Sequence, residues 1–297
     1  MSAYNNSLRP AFTEHISNLL EKNRSINIFG LEGSGRKRLL DDIKKNSRVK
    51  IKTVIVNMKS YKESYAGLID YMSQLLCVVD KKPKNLSELI DCLDFKDQKI
   101  FILLHNFDAL LDNPSMDSLY DIEFFNALNY IKSKEYISLV CVTLQPHDQS
   151  VIIINGKDKT SWLDLEKKPL PELSYEEIKN EIFRQDLPVH EEFRLKLAEN
   201  VWHEKRAYQF LVYCINEIVS NVDGSEINES NIVRWQKAFR AEIRKRNLNI
   251  RGVSKIKRIL NAWSIVTGFE GIKKPLQIFR TVGSLINSIL NKYSKEN

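Results

Sequence analysis

The residues whose types and spacing could do chemistry lie first between Ser25 and Lys37, in SINIFGLEGSGRK. A short apolar run enters a glycine-rich loop, and the loop opens RKRLLDDIKK, which has helical periodicity. Gly30 and Gly35 match the glycines of G-x-x-x-x-G-K-[ST], with Gly33 and Ser34 between them. In such a phosphate-binding loop (P-loop), backbone N–H groups cradle phosphate oxygens at a helix N-terminus. The next two positions depart from the pattern. Arg36 stands where a Lys reaches the β- and γ-phosphates, and Lys37 stands where a Ser or Thr hydroxyl holds Mg²⁺. A guanidinium is a planar fork rather than a compact point charge. An ammonium repels a metal ion and offers it no lone pair. The spacing therefore predicts a vestigial nucleotide site at Gly30, Gly33, Ser34, Gly35, Arg36 and Lys37.

A second stretch, KIFILLHNFDALLD at Lys99–Asp112, has the apolar strand of a Walker B motif without its acids. The positions that would hold Mg²⁺ and activate water read His105 and Asn106, and the first acid, Asp108, comes three residues late. His105 reads as a strand-end residue, because no His or Cys lies at ligand spacing from it. Asp108 reads as a cap on the following turn. Two defective motifs together argue against hydrolysis, since Mg²⁺ supplies much of phosphoryl-transfer catalysis. No catalytic residue and no metal site are assigned.

The third chemical signal is charge. Residues 232–297 carry 15 Lys or Arg against 3 Asp or Glu, so the rest of the chain is net acidic although the whole is +7. Arg240, Arg244, Lys245, Arg246, Arg251, Lys255, Lys257 and Arg258 interleave with apolar residues, with Trp235 and Trp263 alongside. Such a face could follow a phosphate backbone without reading bases. A solvated helical bundle, an acidic protein partner or a membrane surface would use the same charges.

These groups need elements to hold them. Apolar periodicity predicts helices at Leu8–Asn23, Arg36–Lys45, Tyr61–Val79, Leu86–Leu93 and Leu119–Ser133. Strands are expected at Ser25–Phe29, Val49–Asn57, Lys99–Leu104 and Tyr136–Thr143, with a short last one at Ser161–Leu165. The alternation implies an α/β fold with a doubly wound parallel sheet, whose ligands bind beyond the carboxyl ends of the strands. From Ser174, whose pairing with Glu177 forms a capping box, the pattern becomes all helical: Tyr175–Gln185, Glu191–Asn200, Ala207–Ser220, Glu229–Arg246, Ser254–Trp263 and a pair around Pro275. Three regions follow: an α/β domain over 1–170, a helical lid over 171–222 and a basic all-α domain over 223–297. Four dispersed cysteines read as buried free thiols in a reducing cytosol, and neither a signal peptide nor a transmembrane segment is expected.

Over residues 8–220 the chain resembles P-loop NTPases of the AAA+/STAND group. The matching stretches are GLEGSGRKRLL at Gly30–Leu40, LLHNFDAL at Leu103–Leu110, FFNALNYI at Phe124–Ile131, VCVTLQP at Val140–Pro146 and LEKKPLPELSYEEI at Leu165–Ile178. The resemblance implies a lid after the sheet and ATP or ADP as ligand, here without a standard Mg²⁺ site. It places Gln145 near the position of a polar sensor. The lid stretch WHEKRAYQFL at Trp202–Leu211 lacks the Gly-Gly-x-Pro usual in STAND relatives. Members with such losses imply a catalytically weak or inactive subunit, a scaffold or nucleic-acid-binding partner in a larger complex, of the kind found in bacterial antiviral defence systems and mobile elements. Two alternatives stay open. One is an active ATP switch using Arg36 or Lys37 with a non-standard metal site. The other is an initiator-like DNA-binding ATPase whose residues 223–297 form a winged helix.

Overall fold

The structure, a computed structural model, describes residues 4, 6–78, 81–93, 98–111, 116–147, 151–154, 157–160, 163–220 and 227–247. The chain divides into two units, residues 1–236 and 237–297. The first unit holds a five-stranded, all-parallel sheet in the order β2-β3-β4-β1-β7. Its strands are β1 (Ile26–Phe29), β2 (Ile51–Asn57), β3 (Lys99–His105), β4 (Ile137–Thr143) and β7 (Glu166–Pro169). The helices before and between them are α1 (Pro10–Glu21), α2 (Arg36–Asn46), α3 (Met58–Tyr61), α4 (Tyr65–Leu76), α5 (Leu86–Asp91) and α6 (Ile122–Ile131).

The continuous apolar runs of β3 and β4 are explained by burial on both faces. Ile100, Ile102 and Leu104 of β3, with Leu139 and Cys141 of β4, pack with Leu68, Met72, Leu89 and Phe125 on one side. Phe101 and Leu103, with Val140 and Val142, pack with Ile16, Leu20, Leu39 and Ile43 on the other. Alternate residues of a strand face opposite ways, so a strand covered by helices on both faces has no polar phase. α1 and α2 thus lie on one face and α4 to α6 on the other, the doubly wound arrangement.

Three differences from the sequence reading have physical causes. The last strand is Glu166–Pro169 rather than Ser161–Leu165. Its half-exposed EKKP sits at the sheet edge beside β1, where only one neighbour selects for apolar residues. An antiparallel pair, β5 (Val151–Ile154) and β6 (Lys157–Thr160), precedes it and was not expected. The helix expected from Tyr61 begins at Tyr65, because Ser64 caps it by accepting the Gly67 N–H, and the separate turn of α3 comes first. Of the four free thiols, Cys141 and Cys214 are buried, whereas Cys77 is exposed. It ends α4 in the left-handed region (φ 60°), beyond the helix's apolar stripe.

After β7 come α7 (Tyr175–Arg184), α8 (Glu191–Trp202) and α9 (Ala207–Val219). The capping box forms: Ser174 Oγ accepts the Glu177 N–H, and Glu177 Oε2 accepts the Ser174 N–H. Residues 229–247 are helical. Ile232 and Trp235 are buried, Trp235 edge-on to Phe193. Among the described residues no helix is long and apolar enough to cross a membrane.

Candidate phosphate-binding site

Parallel strands bring the ends of β1, β3 and β4 to one edge of the sheet, and both motifs with them. Asn27, in the middle of β1, fixes this edge. Fully buried, it donates to the Cys141 carbonyl (3.0 Å) and Thr143 Oγ1 (2.9 Å) and accepts the His147 N–H (3.1 Å). The Gly30 N–H donates to the Thr143 carbonyl (3.2 Å), so the loop leaves β1 still bonded to β4. The signal for Asn27 was a single polar residue inside an apolar strand, which a buried sheet tolerates only when its amide is satisfied.

The loop itself has the conformation its glycines predict. Gly33 (φ 81°) and Gly35 (φ 90°) occupy the left-handed region, and Gly35 is the N-cap of α2. No side chain caps that helix, so its first-turn N–H groups remain available to an anion. Ser34 is spent on the turn: its Oγ donates to the Leu31 carbonyl (2.7 Å).

Arg36 turns inward. Its side chain is 9% exposed, with Nη1 3.9 Å from Asp108 Oδ1. Nη1 finds no hydrogen-bond acceptor among the described residues. Burial lowers the guanidinium below its ordinary pKa, and Asp108 opposes that shift. Lys37 points outward and pairs with Asp41 one turn on. His105 ends β3 beside this cluster. Burial, then the charges of Arg36 and Lys37, push its imidazole down to about 4, so it is neutral at pH 7. Asn106 takes the left-handed region (φ 53°) and donates to Asn57 Oδ1 (3.0 Å), tying β3 to β2. Asp108 lies inside the short 3₁₀ turn Phe107–Ala109 and faces Arg36.

A cavity of about 1000 Å³ opens over these groups, lined by Gly33, Gly35, Arg36, Lys37, His105, Asn106, Asp108 and Gln145. Lys59 and Lys62, at the start of α3 and just after it, line its far side, and Tyr208 and Gln209 of α9 close another. Neither pair was legible from spacing, since each comes from an element with no motif of its own.

The lid is bonded directly to the loop. The Gln209 N–H donates to the Gly33 carbonyl (3.0 Å), and Arg206 pairs with Glu32 (3.2 Å). The Tyr208 ring lies 3.0 Å from where a Cβ on Gly35 would sit. Behind the loop, Arg9 is buried and donates to the carbonyls of Ser34 (2.7 Å) and Pro171 (3.0 Å). Desolvation lowers its guanidinium to about 10. A further network joins α2 to α7. Arg38 donates to Asp42 (2.8 Å) and to both oxygens of buried Glu181 (2.7 and 3.3 Å), which also takes a bond from Arg184. Burial disfavours the charge on Arg38, but Asp42 and Glu181 more than reverse that and raise its pKa.

The donor set fits phosphate and not a divalent metal. Free first-turn amides and a buried, unsatisfied Arg36 Nη1 suit an anion. No group of three His, Cys, Asp or Glu side chains comes together among the described residues. The nearest acid, Asp108, already faces a cation. Of the basic residues expected to meet nucleic acid, Arg240, Arg244, Lys245 and Arg246 are exposed in the 229–247 helix, and Arg246 pairs with Glu242. Arg251, Lys255, Lys257 and Arg258, and the helices expected at Ser254–Trp263 and around Pro275, lie outside the described residues.

No family model matches this chain, and no curated protein does. Solved structures do. The ORC1 protein of Aeropyrum pernix, in complex with DNA, matches over 78% of this chain at a TM-score of 0.51 and 14% identity. This chain covers 65% of that protein, less than two thirds of its length. Domain III of the Thermotoga maritima replication initiation protein DnaA matches over 80% of this chain and 96% of its own, at a TM-score of 0.51 and 16% identity. At such identities the likeness is one of fold, and that fold is the P-loop AAA+ fold.

Proposed function

We propose that this chain is a non-hydrolysing subunit of the AAA+ fold, a scaffold or nucleic-acid-binding partner within a larger assembly. The observation that carries the reading is the Arg36–Asp108 pair. It sets a guanidinium against the acid nearest the loop, while Lys37 occupies the hydroxyl position and pairs with Asp41. His105 and Asn106 supply no carboxylate to a metal or an attacking water. A lid bonded to the loop by Gln209 and Arg206 supports a fixed role rather than a cycling one. Phosphate release from ATP, measured with and without Mg²⁺, tests this. Turnover that Arg36→Ala abolishes would overturn it.

An initiator-like DNA-binding role is the second reading. The likeness to a DNA-bound ORC1 protein favours it, as do the exposed cations at 240–246. DNA affinity should then fall steeply with salt, with a slope that shrinks when Arg240, Arg244, Lys245 and Arg246 are changed to Gln. A shallow slope that does not respond to these changes removes this reading. Membership of the STAND group and a place in antiviral defence rest on the sequence resemblance alone.

A further inference from the structure

The cavity over the loop carries more positive charge than its own carboxylates balance. Arg36, Lys37, Lys59 and Lys62 line it, against Glu32 and Asp108. Glu32 is itself taken by Arg206 and Asp108 faces Arg36, while Lys37 and Lys62 pair with Asp41 and Glu63, carboxylates that do not line the cavity. Lys59 and Lys62 are placed by topology. β2 pairs with β3 in parallel, so Asn57 sits opposite His105, and the turn of α3 begins at that edge of the sheet. The Asn106–Asn57 bond holds the two strand ends together. The two lysines therefore stand across the cavity from the loop, on the side where the acids of a Walker B strand would direct a metal ion.

We infer that Lys59 and Lys62 take the place of the divalent metal, so that the cavity accepts the polyphosphate chain of a nucleotide in its metal-free form. This rests on the non-hydrolysing reading of the same site. The first-turn amides of α2 and the buried Nη1 of Arg36 hold the inner phosphate oxygens. The lysines neutralise the outer ones as mobile point charges, which a flexible ammonium does better than a fixed fork. A metal-bound triphosphate carries two fewer negative charges and brings a cation towards Lys37, Lys59 and Lys62. It is therefore the poorer ligand, the reverse of an ordinary P-loop.

The test is calorimetric titration of the full chain with ATP, and with inorganic tripolyphosphate as the probe for the phosphate chain alone. Each is run in EDTA and in excess Mg²⁺. ATP should bind in EDTA and weaken at least about fivefold when Mg²⁺ is added, and tripolyphosphate should compete with it. The Lys59→Gln/Lys62→Gln variant, altered only at the cavity rim, should keep the wild-type melting temperature. It should lose at least about fivefold in EDTA affinity and lose the preference for metal-free ligand. No binding, binding that requires Mg²⁺, failure of tripolyphosphate to compete, or indifference to the double substitution overturns the inference. Phosphate release is read separately. Turnover would sink the non-hydrolysing reading while the EDTA arm still decides the metal question.

Discussion

Glu181→Gln is the sharpest probe of how the lid is held. Glu181 is 2% exposed and accepts from Arg38 at 2.7 and 3.3 Å, from Gln185 at 3.3 Å and from Arg184. The amide keeps the shape but removes the charge and turns an NH₂ towards guanidinium donors. Breaking a buried ion pair from one side costs about 3–5 kcal/mol when the partner charge is stranded. Here neither arginine is stranded completely. Arg38 keeps Asp42 at 2.8 Å, and Arg184 keeps the Asn6 carbonyl at 2.8 Å. The expected loss therefore falls at or below the bottom of that range, about 2–3 kcal/mol. For a unit of this size that lowers the melting temperature by about 4–12 °C. The loss should also be local. Hydrogen exchange should speed up in α7 and at the Gln209 amide before it does in β3 or β4, because lid helices open below the global unfolding free energy. Replacing Arg38 and Glu181 together by Met should not restore stability, because it takes the guanidinium away from the buried carboxylate of Asp42. A Glu181→Gln variant within about 0.5 kcal/mol of wild type would refute the reasoning. So would faster exchange confined to the sheet.

Asn27→Val should cost about 2–3 kcal/mol despite adding apolar volume, because it removes the three core hydrogen bonds that the amide makes to the Cys141 carbonyl, Thr143 Oγ1 and the His147 N–H; the urea midpoint reads it, and a neutral result would refute that account. Gly33→Ala should destabilise by about 1–3 kcal/mol, since the residue sits at φ 81° and its Cβ would meet Gln209 Oε1 at 2.7 Å; faster exchange at the Gln209 amide separates displacement of α9 from strain alone. His105 makes stability depend on pH in a stated direction. Its folded pKa of about 4 lies below the unfolded 6.5, so above pH 6.5 neither state binds the proton. Between 6.5 and 4 only the unfolded chain does, and stability falls as pH drops through that window. His105 is partly exposed, so the contribution is about 2 kcal/mol. His105→Asn should flatten that part of the difference between urea midpoints at pH 7 and pH 4.5.

Much of the sheet was legible because burial on both faces leaves no polar phase: KIFILLH and ISLVCVT have no other reading of comparable length. The edge strand β7 was misplaced for the converse reason, since EKKP with a single strand neighbour carries no apolar signature. The loop was legible through Gly33 and Gly35, whose positive φ values only glycine adopts without strain. What the spacing could not give was the direction of the side chains. Arg36 and Lys37 are adjacent in sequence, yet one is buried beside Asp108 and the other is exposed beside Asp41. Successive helical residues differ by about 100° in heading, so the helix phase decides which cation meets the cavity's interior. Arg9, Glu181 and Gln209 belonged to no motif, because the contacts they make join segments far apart in the chain.

The position of β1 has a consequence for biosynthesis. Its two neighbours in the sheet are β4 and β7, which begin at Ile137 and Glu166. At about 5–20 residues per second, a ribosome needs roughly 5–20 s after making β1 before β4 exists to receive it. Over that interval both hydrogen-bonding edges of the strand lack their native partners, although α1 and α2 already exist to cover Ile26 and Ile28. The glycine loop, which hangs from the end of β1, likewise lacks the Thr143 carbonyl and the Gln209 amide that bond to it in the finished fold. Nascent chains stalled short of residue 137 would therefore present an apolar strand with two open edges, a ready substrate for chaperones and for aggregation.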